Sequence, residues 1–228
     1  MKTKFYFLLA ALLPFIAAAQ EGILGNNKNL RIGINAGGTL TSITNEGADV
    51  ADFDSGINFM VGASLEVPFA KQFSLLANIN YERKSFNRDV IDDFDPDFDP
   101  IATSTSTIKY KARLQYITVP VDIRFYIDTK KKFFVNAGPY VAFYLDDTFK
   151  LGDDKLLEYE GNSDFKTAEF GVNMGIGGRF KMNDRSNLTI ELRDNFGLTN
   201  INDYPEDSYH MNTNAFNLIV NWDFELKN

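Results

Sequence analysis

The chain of 228 residues contains no cysteine, a single histidine and a single tryptophan. Without cysteine there is no disulfide framework and no thiolate metal site. With one histidine there is no multi-histidine metal site either. Cations are also short: 23 Lys and Arg stand against 31 Asp and Glu, for a net charge of −8. That balance argues against nucleic acid as a partner, which needs clustered positive charge. After the first twenty residues no apolar run reaches helical membrane-spanning length. What the chain has in quantity is aromatic: 21 Phe and 10 Tyr.

The first segment reads as an export signal. Lys2 and Lys4 precede an apolar run from Phe5 to Ile16, and Ala17-Ala18-Ala19 supplies small residues for cleavage before Gln20. The run is shorter than the roughly 20 residues of a spanning helix and is broken by Pro14. No cysteine follows the cut, which excludes a lipid-anchored lipoprotein. The expected organisation is a cleaved signal over 1–19 and one domain over 20–228.

From Leu30 onward the apolar period is two, the mark of strands with one apolar face. The last segment shows it plainly: Phe216, Leu218, Val220, Trp222, Phe224 and Leu226 alternate with Asn217, Asn221, Asp223 and Glu225. Read this way the chain has eight strands. In the fourth, the apolar set passes from Ala112, Leu114 and Tyr116 to Val119, Val121, Ile123 and Phe125, a change of phase that predicts a β-bulge near Pro120. Short turns at Ala70–Gln72, Asp128–Lys131 and Asn183–Ser186 alternate with long connections at roughly 42–55, 87–107, 147–164 and 200–212. Short turns on one side and long loops on the other fit an up-and-down antiparallel transmembrane barrel, with periplasmic turns, extracellular loops and both termini periplasmic. The long connections carry nineteen acidic and three basic residues. Aromatics recur near both ends of the strands, as in interfacial girdles.

The polar face of such a barrel is an interior, and Arg31, Glu66, Glu82, Lys111, Arg113, Asp122, Arg124, Glu169, Arg179, Glu191, Arg193, Asp223 and Glu225 fall on it. Eight strands leave room for side chains and little else, so a filled lumen with paired charges is expected. Asp194 falls on the lipid face, which calls for a bulge near Arg193–Asn195 or a different register. Pro120 and Pro139 interrupt strands that have no edge to excuse them.

The blocks Tyr116-Ile117-Thr118-Val119-Pro120 with Arg124-Phe125, Asn136-Ala137-Gly138-Pro139-Tyr140, Phe170 to Gly177, and Leu198-Thr199-Asn200-Ile201 resemble the PorT-like family of small outer-membrane β-barrel proteins of Gram-negative bacteria. The resemblance runs in order through nearly the whole mature chain. It implies an eight-stranded outer-membrane barrel and carries no activity. One branch of that family serves a protein-secretion machine.

Chemistry-bearing candidates are few. Asp93, Asp95, Asp97 and Asp99 place carboxylates at every second residue, a density at which hard oxygen ligands could take Ca²⁺. The stretch lacks the glycine and distal glutamate of an EF-hand, and a solvated loop kept extended by repulsion and proline is the favoured reading. Phe94 and Phe98 in the same loop are candidate partner contacts. His210, with Asp207 and Ser208 near it, would be needed for a hydrolase but has no supporting motif. The Gly37-Gly38 pair and Gly175-Ile176-Gly177-Gly178 lie within strand patterns and are not phosphate loops. No cofactor is expected. The expected surroundings are outer-membrane lipid and, through the acidic loops, extracellular or envelope proteins, with the barrel itself a monomer. The expected role is that of a non-enzymatic surface barrel for adhesion, envelope integrity or docking; the alternative is an accessory subunit of a secretion or envelope-assembly complex, and an outer-membrane hydrolase or soluble exported ligand-binding barrel comes last.

Overall fold

The computed structural model describes residues 30–46, 54–92, 106–151, 155–157, 165–203 and 210–226. Its strands are β1 (Leu30–Glu46), β2 (Asp54–Pro68), β3 (Phe73–Asp92), β4 (Ser106–Tyr126), β5 (Phe133–Leu151), β6 (Lys155–Leu157), β7 (Ala168–Lys181), β8 (Ser186–Gly197) and β9 (His210–Leu226). Each long strand pairs antiparallel with its neighbours, and β1 pairs with β9 without a break from Leu30↔Leu226 to Glu46↔His210. The eight long strands therefore close a barrel, while β6 is a three-residue addition to the end of β5. Closure pairs every strand on both sides and leaves no edge. Among the described residues no helix is long and apolar enough to cross a membrane, and the eight long strands, 12 to 21 residues each, exceed the ~9–11 that crossing requires.

The barrel is inside out relative to a soluble protein. Ile34, Ile57, Met174, Ile176 and Leu218 are exposed, whereas Asp122, Glu169 and Asn217 are wholly buried. At the short-turn end of the apolar belt Phe69 stacks on Phe73 at 6.1 Å, Phe73 meets Phe125 at 5.0 Å, and Trp222 meets Phe224 at 4.9 Å. At the other end Phe59 meets Tyr81 at 6.3 Å, and Arg83 lies over Phe59 at 4.9 Å. These rings occupy the two ends of the apolar belt, where membrane barrels carry interfacial girdles.

Four expectations need correction. The strands run past the apolar pattern, β1 to Glu46, β3 to Asp92, β5 to Leu151, and β9 begins at His210. Ladder hydrogen bonds continue above the apolar belt because polar and β-branched residues can still pair there. β4 does not change phase: its even-numbered residues from Ala112 to Tyr126 are buried throughout. The bulge lies in β5, where Leu145 is extra between Gln115↔Asp146 and Tyr116↔Tyr144. No bulge relieves Asp194 either, since it pairs with Met174 and Phe216 in unbroken ladders and faces outward. The prolines are accommodated by gaps: the β3–β4 register skips from Ala77↔Val121 to Asn80↔Thr118, and the β4–β5 register from Pro120↔Tyr140 to Ile123↔Ala137. Each proline keeps its pairing on the opposite side, Pro120 with Tyr140 and Pro139 with Val172. A missing N–H thus costs one ladder locally without turning any side chain to the other face.

Candidate functional site

Among the described residues polar chemistry converges in the interior, and strand phase decides the membership. Glu66, near the end of β2, accepts from Arg31 Nη1 at 3.2 Å, from Arg124 Nη1 at 3.5 Å, from Arg179 Nη2, and from the Tyr126 hydroxyl at 2.5 Å. Arg124 also donates to Glu191 at 2.7 Å and lies over the Phe134 ring at 3.7 Å. Higher in the barrel Arg193 Nε donates to Glu191 at 2.6 Å, and its Nη2 is 3.6 Å from Asp122. Asp122 also accepts from Asn136 at 3.2 Å and Asn173 at 2.9 Å. Asp223 is held by Asn187 at 2.9 Å and Thr189 at 3.3 Å. Charges removed from water are tolerable only when paired and hydrogen-bonded in this way.

Toward the long loops the interior changes character. Phe86, Ala112, Leu114, Tyr116, Tyr140, Ala142, Tyr144 and Met211 form an apolar cluster, completed by Phe165 and Ile201 from the connections before β7 and after β8. Those two segments are knitted together by a Phe165↔Asn202 bridge and by Lys166 N donating to Ile201 O at 2.8 Å. One ion pair sits beneath this plug. Lys84 Nζ donates to both Glu169 oxygens, at 3.0 and 2.9 Å, and to Thr213 at 2.8 Å, with the Tyr116 ring 4.9 Å away. Tyr140 and Thr213 each donate to Glu169 Oε1 at 2.6 Å. Between the two zones Glu82 accepts from Thr118 at 2.8 Å. Two interior glycines make space for rings: a Cβ on Gly177 would stand 2.4 Å from Phe134 Cζ, and one on Gly171 2.4 Å from Tyr140 Cε1.

Of the residues that alternation assigns to the lumen, Arg31, Glu66, Glu82, Asp122, Arg124, Glu169, Arg179, Glu191, Arg193 and Asp223 are gathered there. Arg113, and with it Lys111, is a correction: both occupy odd positions of β4, whose odd face is the outer one, and both are partly exposed. The reason is that the interior at this height is itself apolar, so Ala112 and Leu114 point in and the cations point out. Lys84 and the interior tyrosines were missed. Continuing the alternation of β3 beyond Tyr81 and Glu82 would have found Lys84. Asp93, Phe94, Asp95, Asp97, Phe98 and Asp99 lie outside the described residues, as do Asp207 and Ser208. His210 is exposed at the start of β9, opposite Glu46.

Closure, an apolar outer belt, aromatic girdles and a polar, filled interior together define an integral membrane β-barrel. The sequence agrees: residues 18–203 match the model of the outer membrane protein beta-barrel domain, and the chain belongs to that family and is an integral outer-membrane protein. No curated protein matches the sequence. Solved structures similar to this one include Neisserial surface protein A (NspA), at 11% identity and TM-score 0.47 over 88% of this chain and 100% of that chain. They also include OprG from Pseudomonas aeruginosa, at 11% identity and TM-score 0.46 over 90% and 99%. A third is the outer membrane protease OmpT from Escherichia coli, at 9% identity and TM-score 0.43 over 90% and 100%.

Proposed function

We propose that this outer-membrane barrel is a non-enzymatic, monomeric surface protein that conducts nothing and presents its acidic loops to an extracellular or envelope partner. In this reading residues 1–19 are removed on export, the short turns face the periplasm, and the chain sits among PorT-like proteins. The observation that carries it is the filled lumen: Arg124, Tyr116, Tyr126, Lys84, Phe134 and Leu114 are each below 2% exposure. Most interior charges are paired with one another, and in this reading the packed side chains leave a solute no path. Function then rests on the outside, where the long connections concentrate carboxylates and the Phe94 and Phe98 side chains. The test is to replace Asp93, Asp95, Asp97 and Asp99 by Asn, and separately Phe94 and Phe98 by Ala, in exporting cells. Partner or surface binding is expected to fall in one or both, with barrel folding and membrane level unchanged. Unaltered binding in both would refute loop recognition; a Ca²⁺-dependent loss confined to the Asn variant would assign the loop to the cation.

One observation favours a second reading, an accessory subunit of an envelope complex. Asp194 faces lipid beside Met174, Leu192 and Phe216, and a carboxylate at such depth is costly without a membrane partner. Co-purification that is lost in Asp194→Leu while the barrel stays folded would support it.

A further inference from the structure

We infer that the rim of the barrel at the short-turn end is a docking surface for anionic phospholipid headgroups. The three short turns and their flanks carry Lys71, Lys130, Lys131, Lys132, Lys181 and Arg185 against Asp128 and Asp184, with Glu225 of β9 beside Arg185 as a third carboxylate at this end. This is the opposite sign to the long connections at the other end. The balance within the turns is sharper than the count, because both turn carboxylates are engaged. Asp184 pairs with Lys181 at 2.8 Å. Asp128 is spent inside its own turn, accepting the backbone amides of Lys132 at 2.7 Å, Phe133 at 2.9 Å and Lys130 at 3.1 Å. Among the described residues no carboxylate forms an ion pair with Lys71, Lys130, Lys132 or Arg185.

The cations are held in place by the backbone. Lys131 takes the left-handed conformation, φ 55°, that lets the turn reverse, and its ammonium turns inward to 5.4 Å from the Tyr126 ring. That leaves Lys130 and Lys132 exposed on the outer side. The Lys132 carbonyl accepts the Arg179 amide at 2.6 Å, tying this turn to β7. The turn after β7 is fixed by Asn183 Oδ1, which accepts the amides of Arg185 at 2.9 Å and Ser186 at 2.8 Å. Directly below the cations stand the exposed apolar residues Phe69, Ile127, Phe133, Phe180 and Met182. Rings at that level mark the headgroup boundary, and lysine stems lying along them deliver ammonium groups to the phosphates. A zwitterionic headgroup sets its own ammonium against its phosphate, whereas a phosphatidylglycerol phosphate has no such partner.

The full chain is reconstituted in nanodiscs of equimolar phosphatidylcholine and phosphatidylglycerol, and lipids retained on release are counted by native mass spectrometry. Wild type is expected to retain phosphatidylglycerol over phosphatidylcholine by about threefold or more. The variant K71Q/K130Q/K132Q/R185Q is expected to fall to the bulk ratio, while K71R/K130R/K132R keeps the preference. Each variant is first shown to be folded by its heat-modifiable band. If the fourfold variant does not fold, K130Q/K132Q is read instead and is expected to lose part of the preference. No preference in wild type, or one unchanged in the glutamine variants, overturns the inference. Displacement of the lipid by inorganic phosphate would assign the rim to a free anion and overturn it as well.

Discussion

The two halves of the lumen solve the same packing problem with opposite materials. Toward the short turns, Glu66, Arg31, Arg124, Arg179, Glu191, Arg193 and Asp122 form a shared charge network in which single carboxylates serve several cations. Toward the long loops, the interior is aromatic and aliphatic, with Lys84–Glu169 as its buried ion pair. The contrast teaches that a filled barrel need not be polar inside along its whole length. Where charges are shared, each residue is hard to remove alone. Where one pair is set among apolar neighbours, the pair is separable.

Removing the hub should have the largest effect. Glu66→Gln leaves Arg31, Arg124 and Arg179 facing a neutral amide, and unfolding by denaturant in lipid vesicles is expected to show a loss of about 3–5 kcal/mol. A change below about 1 kcal/mol would mean that the network is not held by this carboxylate. The apolar half should respond differently. Lys84→Met is expected to cost about 3 kcal/mol, but Lys84→Met with Glu169→Leu should recover most of it, because neither member of the pair is then left as a lone buried charge. A double-mutant cycle reads this directly; if the double variant is as unstable as the sum of the singles, the separable character of the pair is wrong.

Ile201→Ala tests the plug itself. Ile201 is 1% exposed in the connection after β8, and truncation is expected to cost about 2–4 kcal/mol and to speed proteolysis at the loop end without opening the short-turn end. Asp194→Leu should act in the reverse direction, raising stability by about 1 kcal/mol in pure lipid vesicles because it removes a carboxyl group from the lipid face. The smallest effect belongs to a turn. The Phe133 amide, helped by those of Lys132 and Lys130, holds the Asp128 carboxyl below the usual aspartate range. Its contribution is complete above the ordinary aspartate pKa and fades as the pH falls through the lowered value. Amide resonances of Lys132 and Phe133 should therefore shift at acid pH in wild type and not in Asp128→Asn.

The barrel was legible in the sequence because lipid imposes one rule on every strand: the outer face must be apolar. In β9 that rule alone names both faces, and in β7 it assigns Glu169 and Arg179 inward and Phe170, Val172, Met174, Ile176 and Phe180 outward. It failed where the interior ceased to be polar. Along β4, Ala112, Leu114 and Tyr116 look like lipid-facing residues, yet they pack into the plug, and the apparent phase change sent Arg113 to the wrong side. The bulge at Leu145 and the ladder gaps at the prolines are set by hydrogen-bond pairing between strands, which a one-strand pattern does not contain. The partners within the network were equally hidden. Alternation places Glu66 inside, but that three arginines and Tyr126 reach it depends on strand stagger around a closed ring.

The filled lumen is tested most directly by single-channel recording of the refolded wild-type chain in a planar bilayer. Insertion without conductance steps is expected if charge network and plug together close the lumen. Reproducible ohmic steps from protein whose unboiled band confirms a folded barrel would contradict it and return the interior to the status of a pore.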